Sequence, residues 1–538
     1  MTLGKLIIGV AIAALILTLI VHLVFRRVKN WPMSYLQNFA GALFIFSGWV
    51  KAIDPLGTAY KMEQYFAELE SAFEPTWFSF LSPLFPWLSH HVNTFSVAMI
   101  AFEIMLGVML VIGAARKFTA WAFLLLVVFF TFLTGFTFLT GYVPDGSANF
   151  FLFSKWGAYQ ETNMKVTDCG CFGDFLVLKP KISFFKDLFL LAPGILFILF
   201  YSRKHQLFTA NVRRLIVIGT VAATIVYCLS NFVWDLPHTD FRPFKVNNNI
   251  RLEKMLEEHA ETSVEIIAYT LTNKKTGEKI TLPFADYLAR FAEYPTEEWE
   301  AEQVKDEPTI TVYKDASKQA GYGVKGFEDD PALEAELAEY VVKKWGITAD
   351  TVTRVVEHSK ISEFEFSDLQ GNGVTEEILN LDNYAFMIVA YKLYGTSEPG
   401  TRIDSIPVYA VDTIPSGDTM QFVQRQTGIR TEEVKAEVYR WDDDYLKRWT
   451  EVVNPVMDAA LKDSHPVFAV TAYDDADRIQ DFRKSTASPY PFVTADDILL
   501  KTIIRSNPGV VLLKKGKVIG KWHFKKLPDY AEIKALMK

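Results

Sequence analysis

The sequence predicts a membrane α-helical bundle followed by a soluble α/β region. Half of the 538 residues are hydrophobic and 43 are Phe, yet 22% are charged. Hydrophobic and charged residues are distributed unevenly along the chain. Long uncharged apolar runs fill residues 1–234, whereas the residues after Pro237 are mainly polar. The formal net charge of −8 and the lack of a basic stripe argue against nucleic acid as a partner and leave the lipid bilayer as the predicted one.

Six segments are apolar enough to cross a bilayer, which takes about 20 helical residues. They are Leu3–Phe25, Leu36–Val50, Phe95–Ala115, Phe118–Thr140, Phe184–Tyr201 and Leu215–Trp234. The first is interpreted as a retained anchor (residues 1–32), since no cleavage pattern follows it. The second is expected to extend to Met33 and Lys51. Residues 77–88 are too short and too rich in Pro to span, and predict an interfacial or re-entrant segment.

Positive charges predict the orientation of the helices. They cluster in alternate short loops, which the positive-inside rule assigns to the cytoplasm: Arg26/Arg27/Lys29, Arg116/Lys117 and Arg203/Lys204/Arg213/Arg214. The 51–94 loop, the 141–183 loop and the C-terminal region are then expected on the opposite side, where disulfides can persist.

Two of the three cysteines, Cys169 and Cys171, are separated only by Gly170, just before an apolar helix. No metal site is predicted, because no further Cys or His lies close by in the sequence. The pair can be a redox-active dithiol, an unreactive turn or a static disulfide. Cys228, within the sixth apolar segment, is interpreted as a packing residue.

Glu103 lies inside the third predicted span, where an ionisable group needs a partner or a cavity. Lys51 and Lys186, near the outer ends of other predicted helices, are its candidate partners. The pair can fix helix packing or can handle protons or bind a quinone, and the sequence leaves both interpretations open.

Residues 33–202 carry a set of motifs that resembles the DoxX/MauE group of small membrane proteins, with the second to fifth spans as a four-helix core. The motifs are Phe46–Gly57, Tyr60-Lys61, Tyr65-Phe66, Glu103 with Leu106-Gly107, Thr167–Asp174 and Phe184 with Lys186-Asp187. MauE proteins are associated with methylamine utilisation, where they are thought to support disulfide formation in an exported dehydrogenase subunit. DoxX relatives are linked to thiosulfate:quinone oxidoreduction. The resemblance implies thiol or sulfur redox at the periplasmic face of a bacterial inner membrane.

In that setting, Cys169 and Cys171 are the candidate catalytic residues. A disulfide between them would close a small strained ring and would be an oxidant. The candidate supporting residues are Lys51, Asp54, Lys61, Glu103, Asp168, Asp174, Lys186 and Asp187. Lysines would lower a thiol pKa and the flanking aspartates would raise it, so the nucleophile is not assigned. A membrane quinone could accept the electrons, although no quinone motif is visible.

After the sixth span and linker (residues 203–237), residues 238–355 predict a mixed α/β segment without recognisable chemistry. Residues 356–538, which begin with Ile361–Phe366 as a predicted strand, have a pattern that resembles the thioredoxin-like fold of TlpA and related redoxins. Pro508 stands at the position of that fold's cis-proline. The Cys-x-x-Cys is missing, since no cysteine follows Cys228, and about 40 inserted residues (400–440) are expected to be functional or disordered.

Two functions follow. In the first, the protein is a membrane thiol–disulfide oxidoreductase, or a subunit of one, whose redox-inactive soluble domain binds a periplasmic or envelope client. In the second, it is a non-enzymatic envelope scaffold or assembly protein with a permanent Cys-Gly-Cys turn.

Overall fold

The computed structural model of the chain describes residues 2–144, 149–166, 168–416, 419–473 and 475–537. The chain divides into two compact units, Met1–Lys245 and Val246–Lys538.

The described part of the first unit is helical. Its helices are α1 (Leu3–Leu23), α2 (Trp31–Ile53), α3 (Pro55–Phe73), α4 (Leu84–His90), α5 (Val92–Ile112), α6 (Arg116–Thr140), α7 (Pro180–Leu199) and α8 (Ala210–Leu229), which continues as a π-helix to Trp234. Within the described residues, α1, α5, α6, α7 and α8 with its continuation are long and apolar enough to cross a membrane. The first unit is therefore a membrane helical region, as the sequence predicts.

Helices α2 and α3 meet at a bend of 96° and would make a sixth span if counted as one. Helix α2 contains the predicted second span and includes Met33 and Lys51. Helix α3 is absent from the sequence-based prediction. It begins at Pro55, and the Asp54 side chain accepts a hydrogen bond from the Gly57 amide at 3.0 Å, which is a helix N-cap followed by proline at the first position. Residues 77–88 form a 3₁₀ turn and most of α4, both too short to span.

Helices α2 and α5 pack with their backbones in contact. A Cβ atom on Gly107 would lie 2.8 Å from both the Gly41 carbonyl oxygen and the Ile45 amide nitrogen. A Cβ atom on Gly41 would lie 2.9 Å from the Gly107 carbonyl oxygen. Small residues at membrane helix contacts allow this close approach, and van der Waals packing then holds the pair together.

The second unit opens with α9 and two small sheets. Its first elements are α9 (Ile250–Thr262), β1 (Ile266–Asn273), β2 (Lys279–Pro283), α10 (Phe284–Arg290), β3 (Trp299–Lys305), β4 (Thr309–Lys314), β5 (Tyr322–Val324), α11 (Pro331–Trp345) and β6 (Thr351–Val355). The strand orders are β2-β1-β3 and β5-β4-β6. Helices α9 and α11 cover β4 around a core that includes Leu256, Val312 and Leu337.

A five-stranded sheet with the order β11-β10-β7-β12-β13 dominates the rest. The remaining elements are α12 (Thr375–Leu379), β7 (Ala385–Ala390), β8 (Gly395–Ser416), β9 (Thr419–Trp441), α13 (Asp443–Lys447), α14 (Asn454–Lys462), β10 (Val467–Thr471), α15 (Ala476–Ser485), β11 (Phe492–Thr494), α16 (Asp497–Ile503), β12 (Gly509–Lys514), β13 (Lys517–His523) and α17 (Tyr530–Ala535). Strand β7 is fully buried and pairs in parallel with β10 and antiparallel with β12. The Asn507–Pro508 peptide bond, directly before β12, is cis. These strands and helices form the soluble region that the sequence predicts.

The predicted strand at residues 361–366 is wrong. These residues form a turn and an irregular stretch, while Ile361, Phe364 and Phe366 are nevertheless buried. Their apolar spacing reflects burial and not pairing, because the isolated bridges here, to Gly373 and to Thr494, are made by the next residue, Ser367.

The inserted residues form a long antiparallel ribbon of β8 and β9, with register from Gly395↔Trp441 to Ser416↔Thr419. Residues 417–418 of the insertion lie outside the described residues. Strand β8 contains Pro399, Pro407 and Pro415, and β9 contains no proline. At the base of the ribbon, Arg478 donates a hydrogen bond to the Leu393 carbonyl oxygen at 3.2 Å, and its guanidinium lies 5.3 Å from the Trp441 ring centroid.

We expect Gly107→Leu to destabilise the membrane unit by about 3 kcal/mol or more, the upper end for overpacking, because the clashing atoms are backbone. The matched control is Gly219→Leu on α8, where a Cβ atom would meet nothing within 4 Å. The melting temperatures of the two variants are measured by thermal unfolding in detergent. Equal melting temperatures for the two variants would contradict the close α2–α5 packing.

Candidate functional site

The two cysteines lie in a tight turn within the α6–α7 connection. Gly170 has φ +59°, a left-handed conformation that favours glycine, and its amide donates to Asp168 Oδ1 at 3.2 Å. The Gly173 amide donates to the Gly170 carbonyl at 3.1 Å. Ser47 Oγ on α2 donates to the Cys171 carbonyl oxygen at 2.9 Å and so fastens the turn to the bundle. Thr167, which opens the motif, lies outside the described residues.

Both thiols are free in the structure. Cys169 is 8% exposed and Cys171 is half-buried. A side-chain hydrogen bond from Cys169 lowers the pKa of Cys171 to about 7, and the charge of Lys186 acts in the same direction. The same hydrogen bond, together with burial, raises the pKa of Cys169. Of the two thiols, Cys171 therefore loses its proton more readily.

A cavity with about 950 Å³ of empty space, counting its open mouth, reaches from the cysteine turn into the bundle. Its wall comes from α2, α3, α5, α6, α7 and the turn itself, and is largely apolar. Phe95, Met99, Phe130 and Leu133 contribute to this apolar part. Phe129 on α6 also lines the cavity and is 36% exposed on the surface of the unit. The cavity suits an apolar ring system next to the thiols.

A buried ion pair lines the cavity. Lys51 Nζ on α2 lies 2.7 Å from Glu103 Oε2 on α5, and the two side chains are 7% and 2% exposed. Lys51 Nζ also lies 5.1 Å from the Phe130 ring centroid, where the aromatic face favours a cation. Of the two lysines considered as partners for Glu103, the structure pairs it with Lys51.

Lys186 forms its ion pair with its neighbour Asp187 on α7, and both side chains line the same cavity. Thr134 Oγ1 on α6 donates to Asp187 Oδ2 at 3.1 Å, which fixes the carboxylate. Lys186 Nζ lies 6.0 Å from the Phe172 ring centroid, next to the cysteine turn. Thr134 was missed by sequence reasoning, because a threonine in an apolar helix carries no signal of its own.

The remaining predicted site residues lie around the turn. Lys61 Nζ on α3 lies 2.7 Å from Asp168 Oδ2, with both side chains about a quarter exposed, and a Cβ atom on Gly170 would lie 3.2 Å from Lys61 Cγ. Asp54 caps α3 and does not line the cavity, and Asp174 is exposed. The structure therefore brings Lys51, Lys61, Glu103, Lys186 and Asp187 together at the thiols.

Pro508 belongs to the second unit, and its loop is buried. Tyr445 Oη donates to Asn507 Oδ1 at 3.0 Å, and Arg448 donates to the Asn507 carbonyl oxygen at 3.0 Å. Asn507 Nδ2 in turn donates to the Lys392 carbonyl oxygen at 2.6 Å. The protein's own side chains thus use the hydrogen-bonding groups around Asn507.

One comparison with known proteins bears on the membrane unit. Residues 29–148 match the family model described as methylamine utilisation protein MauE. This part of the chain is MauE-like. The match spans α2 to α6 and includes Lys51, Lys61 and Glu103, but it ends before Cys169 and Cys171. Searches of curated proteins and of solved structures found no match.

We expect alkylation of Cys171 to be half-maximal near pH 7 in the folded protein, because the thiolate reacts and its pKa is lowered. An unfolded chain should show a midpoint of about 8.5. The measurement is the rate of iodoacetamide labelling against pH in a Cys228→Ala background. Cys169→Ala removes the hydrogen bond to the thiolate and should move the midpoint upward; a midpoint that stays near pH 7 in this variant would contradict the assignment.

Proposed function

We propose that this MauE-like membrane protein is a thiol–disulfide oxidoreductase in which Cys169 and Cys171 cycle between dithiol and disulfide. One observation carries the proposal: the thiols of Cys169 and Cys171 share a largely apolar cavity of the membrane unit with the ion pairs Lys51–Glu103 and Lys186–Asp187. Buried charges inside a membrane domain are expensive and usually functional. A thiolate stabilised by a neighbouring thiol and a lysine is the reactive form for disulfide exchange.

The reaction has two halves. A client thiolate attacks one sulfur of the Cys169–Cys171 disulfide and the other leaves as a thiolate; Cys171, with its lowered pKa, is the better leaving group. A second client thiolate then attacks the client sulfur of this mixed disulfide. The client gains a disulfide, and the two sulfurs of the pair take up the protons that the client thiols released, so the pair becomes a dithiol. A membrane quinone takes two electrons and two protons from the dithiol, which restores the disulfide and yields quinol.

The proposed location is the inner membrane of a bacterium, with six spans. Helix α2 would cross the membrane, and α3 would lie along the outer surface after the 96° bend. This arrangement keeps Arg26/Arg27, Arg116/Lys117 and Arg213/Arg214 on the cytoplasmic side. The cysteine turn and the soluble region would then face the periplasm, where a disulfide can form.

We propose a thioredoxin-like fold for the sheet of the second unit, where β7 lies between parallel β10 and antiparallel β12, and cis-Pro508 precedes β12. It would be redox-inactive, because no cysteine follows Cys228. Client binding would not use the loop at Pro508, which Tyr445 and Arg448 cover. The β8–β9 ribbon, which stands where the Cys-x-x-Cys would follow β7, is the proposed client contact.

Thiol trapping in intact cells tests the redox cycle. We expect the Cys169/Cys171 pair to be mainly oxidised at rest and to become reduced when quinone-dependent respiration is blocked, because the electrons then have no acceptor. A mass-tagging maleimide, applied after acid quenching, reports the state of the pair. We also expect Cys169→Ser or Cys171→Ser to accumulate mixed disulfides with client proteins.

Cys228 provides the matched control, since it is fully buried in α8 and should keep one state throughout. A Cys169/Cys171 pair that never changes state, in cells that tolerate its loss, would refute the redox cycle. The protein would then be a non-enzymatic envelope scaffold with a permanent Cys-Gly-Cys turn.

A further inference from the structure

The Lys51–Glu103 pair has a position that helix packing alone does not require. Taking two charges out of water costs several kcal/mol per ion, and an apolar pair of similar volume often holds helices together equally well. A pair that only joined α2 to α5 would be enclosed between the two helices. Both side chains instead line the cavity that contains the thiols.

The ammonium group is held at the cavity wall from two sides. Glu103 Oε2 accepts its hydrogen bond at 2.7 Å, and the Phe130 ring, itself part of the wall, lies 5.1 Å away. Lys51 is also close enough to Cys171 for its charge to favour the thiolate. A molecule bound in this cavity beside the thiols would therefore meet the Lys51 ammonium group.

We infer that Lys51, positioned by Glu103, donates a proton to the electron acceptor as it is reduced in this cavity. The inference rests on the proposed function and assigns one of its proton transfers. The dithiol loses two electrons and two protons in forming the disulfide, and the quinone gains both. Lys51 gives one proton to a quinone oxygen and is reprotonated by one that the thiols release. The other thiol proton reaches the second quinone oxygen.

Lys51→Arg separates proton donation from ion pairing. A guanidinium keeps the charge and can pair with Glu103, but it does not release a proton in proteins. We expect reoxidation of the reduced pair by decylubiquinone to slow by about 100-fold, the lower end for the loss of a general acid. The full-length protein is reduced in nanodiscs, freed of reductant and mixed with decylubiquinone, and the disulfide fraction is followed by maleimide tagging.

A second variant covers the case in which arginine does not fit. Lys51→Met with Glu103→Met replaces the ion pair by an apolar contact, which a purely structural role would tolerate. We expect this double variant to be equally slow with decylubiquinone. Oxidation by diamide, which needs no quinone, should remain normal in both variants and shows that the cysteine turn is intact. Glu161→Gln, which breaks the exposed Lys179–Glu161 pair, is the matched control and should react like the wild type.

The outcomes are distinct. Slow quinone-dependent oxidation with normal diamide oxidation supports proton donation by Lys51, and a solvent isotope effect on the wild-type rate that is lost in Lys51→Arg supports it further. A wild-type rate in Lys51→Arg or in the double Met variant overturns the inference and leaves the oxidoreductase standing. If diamide oxidation is slow in Lys51→Arg, the arginine has disturbed the cysteine turn. The rate of the double Met variant with decylubiquinone then decides whether Lys51 donates the proton. A wild-type dithiol that decylubiquinone cannot oxidise overturns the quinone-linked function and this inference together.

Discussion

The contact between α2 and α5 is the constraint on which the membrane unit depends. Gly41 and Gly107 let the two backbones touch, and this approach brings Lys51 and Glu103 within 2.7 Å of each other in an apolar bundle. Neither charge could stay buried alone, because an unpaired ion in a low-dielectric interior is strongly destabilising. Close packing therefore gives each charge its partner, and the two helices together form one wall of the cavity.

The cysteine turn depends on this frame more than on its own residues. Ser47 holds it from α2, Lys61 covers Gly170 from α3, and Lys186 supplies charge from α7. The turn contributes the left-handed glycine and the Cys169 side chain that lowers the pKa of Cys171, and α7 adds the charge of Lys186 in the same direction. Chemistry at this site is thus a property of the whole bundle, although the MauE-like match ends before the cysteines.

Apolar runs were sufficient to predict most of the membrane helices, since bilayer thickness sets their length. Helix α3 was not predicted, because it carries Lys61 and several Glu residues and has no long apolar run. Asp54-Pro55 is a helix start signal that could have revealed it. From the sequence, Lys51 was one of two candidate partners for Glu103, the other being Lys186. The choice between them depends on how each helix is rotated about its axis, which the sequence does not reveal. The hydrogen bond from Thr134 to Asp187 was not predicted for the same reason.

In the second unit, the buried strands β7 and β10 are continuous apolar runs, whereas burial without pairing misled the prediction of a strand at residues 361–366. The inserted residues were not predicted to form strands, and they contain several prolines, which are unfavourable in strands. They nevertheless form the β8–β9 ribbon. In a paired strand, proline belongs where its nitrogen faces away from the partner. A proline nitrogen carries no hydrogen to donate, so the sequence of β8, with Pro399, Pro407 and Pro415, makes it a poor template for a strand from another molecule.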